Sequence, residues 1–85
     1  MTETIMAFEK NVTKELPVVE RLENGYIVVQ DATLTDGGTF LRNEDYCLVN
    51  PDGKILIHAN DAASLIKYGS NPETLEKIEK SGSVA

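Results

Sequence analysis

The chain is poor in the residues that cross-link small domains or bind metal ions. Its 85 residues include one cysteine, one histidine and no tryptophan. A single cysteine cannot form an intramolecular disulfide and offers no cysteine-rich metal site, which is typical of proteins from a reducing cytosol. The sequence therefore predicts a cytoplasmic protein that contains no metal ion or other cofactor.

Long apolar segments and clusters of basic residues are also missing. No apolar run approaches the roughly 18 to 20 residues that span a bilayer, and Glu3 and Glu9 interrupt the apolar N-terminus where a basic leader would stand. Eight lysines and arginines face fourteen acids, which gives a net charge of −6. Because phosphate groups are bound by clustered Lys and Arg, we expect neither direct nucleic-acid binding nor membrane binding.

The composition is nevertheless that of a folded protein. Hydrophobic residues make up 41% of the chain, which is enough for one modest core in a single domain spanning residues 1–85. A domain of this length exposes much of its surface and is only marginally stable alone. Because self-association would bury more apolar surface, we expect a homo-oligomer.

The most informative segment is 46–58, which predicts a β-hairpin. Pro51 presets φ for a type I turn, and Gly53 supplies the left-handed residue that follows it. With a three-residue loop at 51–53, the opposite residues are Val49 and Ile55, Leu48 and Leu56, Cys47 and Ile57, and Tyr46 and His58. Since side chains alternate along a strand, this register puts Cys47 and His58 on opposite faces.

Both faces of this hairpin are apolar. One has the composition of a core: Cys47, Val49, Ile55 and Ile57. The other is tipped with polar atoms and fits either a core or a partner surface: Tyr46, Leu48, Leu56 and His58. Because one layer of helices covers only one face, we expect a second subunit, or a curling of the sheet onto itself, to cover the other.

Turn signals along the rest of the chain recur at the spacing of an antiparallel meander. Asn24-Gly25 lies between β-branched runs, and Asp36-Gly37-Gly38 precedes a short strand at 39–41. A polar break at 42–45 leads to the hairpin. Residues 1–14 show only a weak helical spacing of apolar side chains, which predicts a frayed arm or a short helix.

After the hairpin the pattern becomes helical. Asn60 or Asp61 can cap a first short helix that Gly69 closes, a second begins near Pro72, and residues 81–85 form a loose tail. The predicted fold is therefore α+β. It consists of an antiparallel meander of four to five strands, with two short C-terminal helices packed on one face.

The sequence offers few candidates for catalysis. Cys47 and His58 are a candidate nucleophile and base, but they meet only if the turn slips by one residue. Several carboxylates lie near turns, and their spacing does not fit an EF-hand loop: Asp31, Asp36, Glu44, Asp45 and Asp52. We interpret them as solvated turn acids, and we predict no catalytic, cofactor-binding or metal-binding residue.

Size, acidity and the second apolar face favour a non-enzymatic protein-interaction module. We expect a homodimer that serves as an accessory or inhibitor protein, of the kind that phages encode, and binds a basic surface of another protein. The residues predicted to contact that partner are Tyr46, Leu48, Leu56, His58, Asp36, Glu44 and Asp45.

The alternative is a small ligand-binding or enzymatic domain with its site between sheet and helices. A pocket enclosing three or more of the five turn acids or His58 would favour that alternative. A flat apolar patch ringed by carboxylates would favour the interaction module.

Overall fold

The computed structural model describes residues 3–81, which form a five-stranded sheet followed by two helices. The strands are antiparallel neighbours in chain order: β1 (Thr4–Glu9), β2 (Val12–Arg21), β3 (Ile27–Leu34), β4 (Phe40–Val49) and β5 (Ile55–Ala59). The helices are α1 (Ala62–Gly69) and α2 (Pro72–Ser81). The predicted α+β meander with two C-terminal helices is confirmed. Neither helix is long and apolar enough to cross a membrane.

The turns form where the sequence predicts them, because their residues accept the required backbone angles. Gly25 and Gly53 have φ of 90° and 94°, a left-handed conformation that glycine adopts without steric cost. In the last turn the backbone N–H of Asn50 donates to the carbonyl of Lys54 at 2.9 Å. The Asn50 side chain accepts from the N–H of Lys54 at 2.9 Å, which fixes the predicted three-residue loop.

The chain termini differ from the prediction. Residues 4–9 form β1, which pairs with residues 12–17 of β2 along its whole length, so the expected frayed arm or short helix is wrong. Ile5 and Ala7 pack into the core while Met6 is 60% exposed, an alternation that belongs to a strand. At the other end α2 includes Ser81, and residues 82–85 of the expected tail lie outside the described residues.

The register of the 46–58 hairpin is correct at the turn and wrong beyond it. The opposite residues are Val49 and Ile55, Leu48 and Ile57, Cys47 and His58, and Tyr46 and Ala59. Leu56 is the extra residue of a β-bulge, which moves every later residue of β5 by one position relative to β4. Cys47 and His58 consequently share a face, contrary to the prediction.

The sheet separates two hydrophobic cores. The inner core consists of Ala7, Leu16, Val29, Cys47, Val49 and Ile55. The outer core lies between the sheet and the helices and consists of Val28, Leu48, Leu65, Leu75 and Ile78. The sheet curls so that β1 reaches the start of β5, where the N–H of Phe8 donates to the carbonyl of Gly53 at 2.9 Å. The curling of the sheet covers one face of the 46–58 hairpin and the helices cover the other, both within one chain.

Candidate functional site

The residues predicted to contact a partner do not share one surface. Leu48 is fully buried in the outer core, which rules it out as a contact residue of the folded chain. Tyr46 and Leu56 are half-buried and pack against the same core. His58 lies at one open end of the curled sheet. All three acids belong to the β3–β4 hairpin, Asp36 in its turn and Glu44 and Asp45 within β4.

This hairpin provides the first candidate surface, which we call the arm and define as residues 33–45. None of its residues is buried. The predicted polar break at 42–45 belongs to it as a continuous part of β4. Leu34 and Leu41 are 47% and 62% exposed and lie on opposite faces of the arm, because Leu34 pairs with Phe40 and Leu41 with Thr33.

Polar contacts hold the base of the arm in place. Arg42 Nη1 donates to Gln30 Oε1 at 2.7 Å, and Gln30 Nε2 donates to the carbonyl of Asn43 at 2.9 Å. The side chain of Asn43 also donates to Asp31 Oδ2 at 3.0 Å. Arg42, the basic residue of the arm, is thus directed toward β3, which leaves the arm's surface acidic.

The acids of the arm have no partners within residues 3–81. The carboxylates of Asp36, Glu44 and Asp45 make neither a hydrogen bond nor an ion pair with any of those residues, and all three are exposed. Among the other acids, Glu3 is paired with Arg21 at 2.8 Å and Glu76 with Lys80 at 2.9 Å, whereas some, such as Glu20 and Asp52, are also unpaired within residues 3–81. The arm therefore combines exposed leucines with unpaired negative charge.

The second candidate surface is a cavity of about 330 Å³ at the open end of the curled sheet, which we call the mouth. Its lining residues are Glu9, Lys10, Val12, Lys14, Asp31, Ile55 and His58. On β2, Lys14 shares the inner face with the buried Leu16, and on β3, Asp31 shares it with the buried Val29. The inner face is apolar in its interior and becomes charged at the mouth.

A hydrogen-bond relay crosses the floor of the mouth. Cys47 Sγ lies 3.3 Å from His58 Nδ1, and His58 Nε2 lies 3.0 Å from Glu9 Oε2. Burial raises the pKa of the Cys47 thiol to about 12, and the negative charges of Asp31 and Glu9 act in the same direction. The Cys47 thiol therefore keeps its proton and can donate it to Nδ1, in the tautomer of His58 whose Nε2–H donates to Glu9.

This relay is not arranged for nucleophilic catalysis. Cys47 is fully buried and remains a thiol at neutral pH, whereas the reactive species in cysteine enzymes is an exposed thiolate. Both ring nitrogens of His58 are occupied, so neither is free to accept a proton from a substrate. Within residues 3–81 no three His, Cys, Asp or Glu side chains converge as the ligands of one metal ion would.

The mouth meets the predicted criterion for a ligand site only in part. Of the turn acids and His58, it encloses Asp31 and His58, and its further carboxylate belongs to Glu9. The sequence gives no sign that Glu9 belongs to this site, because Glu9 contacts His58 only through the curling of β1 toward β5. The residues that flank the Leu56 bulge carry no local signal of it, since the run Ile55–Ile57 is uniformly apolar.

Known proteins add no further constraint on the site. Comparisons with protein-family models, with curated proteins and with solved structures find no match to this chain.

Proposed function

We propose that this chain is a non-enzymatic interaction module that binds a basic surface of another protein through the arm. The observation that carries the proposal is the combination, on one hairpin, of an exposed leucine on each face, Leu34 and Leu41, with three unpaired carboxylates. Interfaces commonly combine an apolar centre with a polar rim. The arm has both kinds of residue within residues 33–45, and a partner that covers both leucines must contact both faces of the hairpin.

The leucines supply affinity in this proposal. Each is close to half exposed, so covering either one contributes about 1 kcal/mol from the apolar area removed from water. That amount is too small to hold a partner without charge complementarity or further contacts, because association also costs translational and rotational freedom.

The carboxylates supply charge complementarity and speed. The arm carries three acids and one arginine, and the whole chain has a net charge of −6, so its field attracts a basic surface from a distance. Such attraction between exposed charges is screened over about 8 to 10 Å at physiological salt. Complex formation should therefore slow as salt is added.

The finer parts of the proposal follow from size, charge and cysteine content. We infer an accessory or inhibitor protein of the kind that phages encode, acting in the cytoplasm, where the single Cys47 stays reduced. A homodimer stays a prediction. Its original basis was an uncovered face of the 46–58 hairpin, and both faces are covered within the described chain.

The test compares two variants with the same change in charge. The arm variant is Asp36→Asn, Glu44→Gln and Asp45→Asn. The control variant is Glu20→Gln, Glu23→Gln and Asp52→Asn, which neutralises three other exposed carboxylates that have no partner within residues 3–81. Each variant and the wild-type chain captures proteins from the same lysate, and the purified candidate partner is then studied by stopped flow.

The proposal requires a partner that the wild type and the control variant retain and the arm variant loses. With that purified partner, the arm variant should associate at least tenfold more slowly, with little change in the dissociation rate. Adding Leu41→Ser should instead raise the dissociation rate. Equal losses for both charge variants would show a general effect of net charge and would refute the arm as the binding surface.

A further inference from the structure

We propose that the mouth is a binding site for a small carboxylate with a short aliphatic body. The mouth shares no lining residue with the arm, although Asn43 of the arm donates to Asp31 at its edge, and its ligand binding does not depend on the function proposed for the arm. Open ends of curled sheets and barrels are common places for small ligands. The volume of about 330 Å³ is at the small end of the roughly 300 to 1,000 Å³ typical of ligand pockets.

The charged side chains at the mouth differ in whether they already have a hydrogen-bond or ion-pair partner. Glu9 is bonded to His58 at 3.0 Å, and Asp31 accepts from Asn43 at 3.0 Å, so both carboxylates have partners. The ammonium group of Lys10 makes no hydrogen bond or ion pair with any residue in the described range. At the mouth, each carboxylate therefore has a hydrogen-bond partner and the Lys10 ammonium has none among the described residues. This difference favours an anionic ligand over a cationic one.

Lys14 supplies a second cation that is only loosely held. Its Nζ lies 4.0 Å from Asp31 Oδ1, beyond hydrogen-bond distance, and its side chain is 52% exposed. A carboxylate entering the mouth can therefore accept from Lys14 without breaking a short bond. Lys10 and Lys14 together provide two donors, which match the two oxygens of a carboxylate.

The backbone conformation of Lys10 also supports a ligand site at the mouth. With φ of 56° it is the one non-glycine residue in 3–81 that adopts a left-handed conformation. Its two-residue loop joins Glu9 to Val12, where glycine would be free of strain. Strained residues concentrate at ligand sites, and this one carries the unpaired ammonium group.

The apolar residues that line the mouth indicate that the ligand has an aliphatic part besides its carboxylate. Val12 is 55% exposed and Ile55 is buried, and both line the cavity beside the charged residues. Covering Val12 with an aliphatic chain would remove apolar surface from water. The ligand class is therefore a short aliphatic acid rather than a bare oxyanion such as phosphate.

The test is a titration of the full chain followed by ¹H–¹⁵N NMR at constant ionic strength and pH 7. The probes are acetate, butyrate and hexanoate, with butylammonium and inorganic phosphate as comparison ligands. We expect saturable shifts from the aliphatic acids at the lining residues, above all Lys10, Lys14 and His58. Affinity should rise about fourfold per added methylene until the cavity is filled.

Two matched variants make the test specific. Lys10→Gln should weaken butyrate binding at least fivefold, whereas Lys67→Gln, which removes an exposed ammonium on α1, should leave it unchanged. The proposal is overturned if butylammonium binds as well as butyrate, if both variants behave alike, or if shifts rise linearly without saturation. Phosphate binding as tight as that of hexanoate would overturn the aliphatic part of the assignment.

Discussion

Alkaline pH should destabilise the fold through a single buried thiol. Burial raises the pKa of Cys47 to about 12, with further contributions from Asp31 and Glu9, while the unfolded thiol titrates near its ordinary value of 9.0. A raised pKa in the folded state means that the unfolded chain releases its proton first. The stabilising contribution is therefore complete below about pH 9 and is lost as pH rises toward 12.

The magnitude follows from that separation. At pH 10 the unfolded thiol is about nine-tenths ionised while the folded thiol keeps its proton, which lowers the free energy of unfolding by about 1 kcal/mol relative to pH 7.5. For a domain of this size that is a substantial fraction of a marginal stability. Cys47→Ala should abolish this part of the pH dependence, whatever it costs in packing.

The measurement is urea unfolding of the wild type and of Cys47→Ala at pH 7.5, 9 and 10 under reducing conditions. Desolvation and Glu79 raise the pKa of Tyr26 from 10.0 to about 12, so this phenol contributes mainly above pH 10. In Tyr26→Phe the free energy of unfolding should accordingly fall between pH 7.5 and pH 10 about as steeply as in the wild type. If Cys47→Ala lost stability between pH 7.5 and 10 as steeply as the wild type, the buried-thiol argument would fail.

Two further pairs of substitutions test the fold. Gly53→Val should cost roughly 1 to 3 kcal/mol in urea unfolding, because its Cβ would lie 3.3 Å from the Met6 carbonyl at a φ of 94°. Gly37→Val, whose Cβ would meet only Thr35 Oγ1 at 3.9 Å and whose φ is not positive, should cost far less, and equal effects would contradict the turn geometry. Leu48→Asp should unfold the chain, whereas Leu41→Asp should leave it folded by circular dichroism.

The sequence predicts best where a residue acts on its own backbone. Gly25 and Gly53 mark turns because few other residues accept positive φ, and Asp61 caps α1 by accepting from the N–H of Ala63 at 3.0 Å. These effects reach across two to four residues. The order of strands follows from them, since short turns leave each strand beside the previous one.

Prediction fails where the outcome depends on segments far apart in the chain. The apolar spacing in 1–14 predicts a frayed arm or a short helix, but pairing of residues 4–9 with residues 12–17 makes this segment a strand. The bulge at Leu56 brings Cys47 beside His58, although the turn itself is as predicted. A one-residue change in register moves a side chain to the opposite face, so local alternation is not sufficient to separate Cys47 from His58.

The same reasoning explains why the predicted contact residues divided between buried and exposed positions. Leu48 and Asp36 were equally plausible contacts in the sequence, because neither composition nor alternation says what covers a face. The helices cover Leu48, and the arm leaves Asp36 exposed without a partner in residues 3–81. Net charge likewise does not predict which carboxylates are available to a partner. Glu9 and Asp45 both contribute to the net charge of −6, yet Glu9 is paired with His58 and Asp45 is unpaired in the described part of the chain. An acidic chain can therefore attract a partner by charge only where its tertiary structure leaves carboxylates unpaired, and within residues 3–81 the arm is one such place, in addition to Glu20, Glu23 and Asp52.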